Sequence, residues 1–122
     1  MARFTGRATF SIAGNQTIVV GFQPTWANFK VCANNAGTDA VSHWSEGDTD
    51  GTNQNFNSTF SDGAGHSRSR NGNTKVLEHY EYSGGAFVTV LSTSFVSFTP
   101  TGITLNNAVP SSNYKVVVTC GN

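Results

Sequence analysis

The segment HWSEGDTDGTNQNF, His43 to Phe56, holds the densest set of side chains able to do chemistry. Glu46, Asp48 and Asp50 alternate and run into Gly51, as in the opening of an EF-hand calcium loop. Such a loop closes on a bidentate glutamate that completes the oxygen shell. Asn57 stands at that closing position instead. The run ahead of the acids reads as a strand, where an EF-hand needs a helix. Weak calcium binding by Glu46, Asp48 and Asp50 is therefore the lesser reading. Asp and Gly tolerate the backbone of a tight turn, and a polar turn between two strands is expected.

The remaining reactive groups do not assemble into a reaction. His43, His66 and His79 follow no zinc-ligand spacing, and His43 and His79 read as surface or interface residues of strands. No G-x-S-x-G is present. Glu78 and Glu81 face opposite sides of a strand, which does not suit a glycosidase pair. A non-enzymatic protein without cofactor is expected. In HSRSR, His66, Arg68 and Arg70 share one side if extended. Guanidinium forks there could hold a carboxylate, phosphate or acidic sugar, but a solvated loop or a salt bridge is preferred. Trp26, Trp44, Tyr80, Tyr82 and Tyr114 could stack on sugar rings if exposed. Core or interface places suit most of them better. The candidate contact residues are Trp44, His66, Arg68, Arg70, Tyr80 and Tyr82.

These groups sit in a chain of 122 residues, the size of one domain, here 1–122. Seven Lys and Arg balance seven Asp and Glu, so no basic excess supports nucleic-acid binding. Charged residues make up only 11%, and Gly, Ser, Thr and Asn supply the polarity. The N-terminus lacks the apolar stretch of a signal peptide, and no run is long enough to insert in a membrane. Synthesis in a cytoplasm is expected. Cys32 and Cys120 form neither a disulfide framework nor a zinc set. A single bridge between them is left open, with a reducing compartment arguing against it.

Thirteen Gly and three Pro cut the chain into short alternating pieces. Phe4, Ala8, Phe10 and Ile12 share one face, then Ile18, Val20 and Phe22, and the AGN between them predicts a hairpin. Ala27, Phe29, Val31 and Ala33 share a face, opposite Trp26, Asn28, Lys30 and Cys32. Short strands follow around AVSHWS and FNSTF. SDGAGHSRSRNGN is expected to be a long polar loop. KVLEHYEY reads as a strand or a two-turn helix with no strong N-cap. AFVTVLSTSFVSF shifts its apolar parity at STS, which predicts a bulge or a change of sheet. ITLNN and YKVVVTC complete eight or nine short strands. The fold class is all-β, an antiparallel β-sandwich or jelly roll.

Taken in order, FTGRATFSIAGNQTIVVGFQPTWANFKV, TDGTNQ, RSRNGNTKVL and SFVSFTPTGITLNNAVPSSNYKVVVTCGN span nearly the whole chain. This series resembles a family of small virion proteins of tailed bacteriophages. The chain departs from the pattern at Ile103, Asn106 and Cys120, where Phe, Trp and a small aliphatic residue are usual. The resemblance implies a β-sandwich that decorates capsids or heads tail fibres, in general as a homotrimer. It is similar at fold level only to small trimeric H-type lectins. A capsid decoration or cement protein is the preferred expectation, with contacts to major capsid or tail proteins. The alternative is a lectin-like receptor-binding module of a tail fibre that meets a host surface glycan.

Overall fold

The computed structural model describes residues 1–32 and 42–122. Among them ten antiparallel strands, and no helix, form two sheets packed as a β-sandwich. In chain order these are β1 (Arg3–Ala8), β2 (Gly14–Val19), β3 (Trp26–Cys32), β4 (Ser42–Thr49) and β5 (Gln54–Ser61). They continue as β6 (Ser67–Gly72), β7 (Leu77–Ser83), β8 (Ala86–Thr99), β9 (Gly102–Val109) and β10 (Val116–Gly121). A wide sheet runs β1-β10-β3-β4-β5-β6, and a narrow one runs β2-β9-β8-β7. The first two strands pair with the last two, β1 with β10 and β2 with β9. The runs β3 to β6 and β7 to β9 are plain meanders.

The alternation read from the sequence sets the core. Ala27, Phe29 and Val31 of β3 and Val116, Val118 and Cys120 of β10 face inward, against Leu91, Ile103 and Leu105 of the narrow sheet. Ala33 and the start of AVSHWS lie outside the described residues. Cys120 is a free, buried thiol whose pKa burial pushes up. Its cross-strand partner is Ala27, five residues and roughly 16 Å along β3 from Cys32.

Several expectations are corrected. β1 and β2 do not form a hairpin: β1 pairs with β10 and β2 with β9, so residues 9–13 carry the chain from one sheet to the other. Beyond the end of β1, Phe10 turns into the core while Ile12 is exposed. The polar loop contains strand β6, hydrogen-bonded along β5 from Phe56↔Gly72 to Ser61↔Ser67. For KVLEHYEY the strand reading holds, with β7 beginning at Leu77. The shift in β8 is a bulge and not a change of sheet, with register breaks between Ser92 and Thr93 and between Phe95 and Ser97. The turn from β7 to β8 is made by Gly84 and Gly85 at φ 61° and 84°, the backbone of a two-residue hairpin that only Gly adopts freely.

The wide sheet extends two strands past the narrow one, and its β5–β6 end lies over the β7 edge. β7 is consequently buried on both faces in its first half. Leu77 and His79 point into the main core, while Tyr80 reaches under β5, where its hydroxyl meets Ser58 Oγ at 2.8 Å. The inward row of β4 is small or polar because β7 presses on it. Ser45 Oγ accepts the Glu78 amide at 3.2 Å.

Candidate functional site

The acids of the opening segment are placed by β4 and its turn. β4 continues to Thr49, further than the sequence predicts, so Glu46 and Asp48 belong to the strand and only Asp50 to the turn. Asp50 Oδ1 accepts the amides of Thr52 and Asn53 at 2.9 and 2.7 Å, and Oδ2 accepts Asn53 Nδ2 at 3.2 Å. The Asn53 amide foremost, then that of Thr52, holds its carboxyl below the ordinary value. Both oxygens of Asp50 are thus spent on closing the hairpin. Glu46 and Asp48 line one depression and Asp48 and Asp50 another, but no metal-competent cluster of three occurs among the described residues.

The arginine cluster is likewise engaged within the protein. Arg68 lies over the rings of Tyr80 and Phe87, at 5.1 and 5.4 Å from their centroids. Arg70 Nη1 donates to Glu78 Oε1 at 2.8 Å. His66 stacks on Tyr82 with centroids 3.7 Å apart, and its Nδ1 meets Asp62 Oδ2. The Ala64 amide, more than the His66 ring, lowers the Asp62 carboxyl pKa. His66, Arg68 and Arg70 do lie side by side, but each tethers β6 or its loop to β7 and β8. Tyr80 is core rather than a ligand contact. His43 and His79 are also corrected: both are buried, not surface residues. Glu78 and Glu81 have separate partners, since Glu81 accepts the Tyr114 hydroxyl.

Among the described residues, the outward face of the wide sheet carries depressions lined by polar side chains. Register aligns Lys30, Glu46, Asn57 and Asn71 in one cross-strand row. Asn28, Asp48 and Asn55 form the next, where Asn55 Nδ2 donates to Asp48 Oδ1 at 3.3 Å. Three depressions of about 200, 680 and 220 Å³ lie over these rows. Asp48 and Asn55 line all three, so the depressions run together as one trough. Trp26 lines one end, its ring against Gly121 and under the Arg3 guanidinium. Trp44, two residues before Glu46 on the same face, is 37% exposed.

Carboxamides both donate and accept, and carboxylates accept strongly. A trough lined this way suits a neutral, hydroxyl-rich ligand better than a charged one. Sequence reasoning singled out Glu46, Asp48 and Trp44 but missed Asn28, Asn55, Asn57 and Asn71. Asn in a strand reads as a turn residue, and only the cross-strand register collects these four. Neither protein-family models nor curated proteins nor solved structures give a match to this chain.

Proposed function

We propose that this chain is a non-enzymatic glycan-recognition module, the receptor-binding part of a phage particle, acting through the trough on its wide sheet. The observation that supports this is the convergence of Glu46, Asp48, Asn28, Asn55 and Asn57 on one open sheet face, with exposed Trp44 beside them. Sugar hydroxyls pair with amide and carboxylate groups, and an indole face takes the apolar side of a pyranose. A rigid sheet holds these groups in place before binding, which lowers the ordering cost. An array of neutral and acidic oligosaccharides, followed by calorimetry on the best hit, tests the reading. Asp48→Ala and Trp44→Ala should each weaken binding by roughly tenfold or more, the worth of one lost hydrogen bond or stacking contact. Both side chains are exposed, so melting should hardly move. No binding on the array, or full affinity in both variants, would overturn it.

A second reading, capsid decoration by a homotrimer, draws support from the exposed apolar Ile12 just before edge strand β2 and Val19 at its end. A cement protein should co-sediment with capsids and ignore glycans. Sedimentation would separate trimer from monomer.

A further inference from the structure

His79 of β7 is buried in the contact between the two sheets. Its ring stacks on that of His43 from β4, centroids 4.4 Å apart and 29° from parallel. Tyr114, from the segment before β10, meets both rings edge-on, at 4.9 Å from His79 and 5.9 Å from His43. Phe60 of β5 closes the far side of His43, and the apolar Leu91 of β8 is the cross-strand neighbour of His79. Neither ring nitrogen of His79 has a hydrogen-bond partner. A buried polar ring without partners is costly to keep, and a charged one far more so.

Among the described residues, the ionisable groups around the stack give a proton on His79 little compensation. The other imidazole would meet a charge as a neighbour of like kind. The Tyr114 hydroxyl is directed to Glu81, and Glu78 is held by Arg70. Lys115, next to Tyr114, is exposed and donates to Thr9 Oγ1 at 2.6 Å.

We propose that the His43–His79 stack is an acid-sensitive latch between the sheets, and that proton uptake by His79 releases the β7–β8 hairpin from β4. Burial foremost, then the neighbouring His43, lowers the His79 pKa from 6.5 to about 3. The depressed value fixes the sign. Between those pH values the unfolded or opened chain binds a proton that the closed chain does not. The latch is thus fully closed above pH 6.5 and weakens steadily as pH falls towards 3. From pH 7.5 to 4.5 the opening equilibrium should rise on the order of 100-fold from this residue alone.

Hydrogen exchange and melting at pH 7.5 and 4.5 test the latch on the whole chain. At pH 4.5, after correction for intrinsic rates, β7 amides should lose on the order of 100-fold in protection, at least as much as β3 and β10, and His79→Leu should abolish most of that loss. The wild-type Tm should drop by roughly 10 °C, and His79→Leu should remove most of that drop. Protein NMR should show a His79 ring that stays neutral in the closed form down to pH 4.5. A His79→Leu protein with the full wild-type drop would overturn the proposal. So would β7 protection unchanged at pH 4.5, or a His79 ring that titrates near pH 6.5 with β7 still protected. If His79→Leu does not fold, exchange and NMR on the wild type decide.

Discussion

At Gly47 an added Cβ would lie 1.8 Å from the Val76 carbonyl oxygen and 2.4 Å from that of Asn55. Both obstacles are backbone, so neither can rotate away as a side-chain tip would. The residue is thus the point at which the narrow sheet's edge comes down on the wide sheet. Gly47→Ala should cost roughly 3 kcal/mol or more, a strained-packing loss at the upper end for one methyl. Gly72 makes a useful contrast. Its added Cβ would meet the Phe56 ring at 2.7 Å, an obstacle that is side chain rather than backbone. Urea melts of the two variants should place Gly47→Ala well below Gly72→Ala. Equal midpoints would mean that the sheets separate there without strain.

Among the elements, β7 shows how a sheet edge can be sealed by a neighbouring layer. Its free edge would expose unpaired amides to a second chain, yet the Glu78 amide is satisfied by Ser45 Oγ from the facing sheet. Ser45→Ala should therefore cost about 1–3 kcal/mol, the penalty for one buried amide left unsatisfied. Equilibrium unfolding measures it, and a change of a few tenths would show that water reaches the edge. The sequence gives away β3 and β10 because their inward positions are apolar and strictly alternate, and β9 through Ile103 and Leu105, although its next inward position is the buried Asn107. β6 is hidden because its inward positions are Arg68 and Arg70, whose stems and guanidinium planes do the packing that Val or Ile would do elsewhere. The inward row of β4, His43, Ser45, Gly47 and Thr49, hides in the same way. The AGN turn signal between β1 and β2 was legible as a turn, but a local signal carries no information on which sheet the chain enters next. The candidate trough was half legible. Its acids stand out by type, whereas the asparagines join them only through pairing across β3, β4, β5 and β6.

For the whole molecule, the unequal width of the sheets sets where the fold is firm and where it opens. A symmetric sandwich would leave four edge strands equally exposed to fraying. Here β1, β2 and β6 are edges open to solvent on their outer faces, whereas β7 is an edge covered by β4, β5 and the Arg68–Tyr80–Phe87 contacts. Three contacts from separate directions hold it: the Ser58–Tyr80 hydroxyl pair, the Arg70–Glu78 ion pair and the Ser45–Glu78 bond. Native-state hydrogen exchange at pH 7.5 should accordingly rank strands by cover rather than by position in the sheet. The Glu78 and Tyr80 amides should exchange with β9 and β10, near the global unfolding rate. Amides of β2 and β6 should exchange on the order of 100-fold faster. If β7 exchanged with β2 and β6 instead, the β5–β6 end would not be closed over it in solution, and neither the buried histidine stack nor the sealed edge would stand.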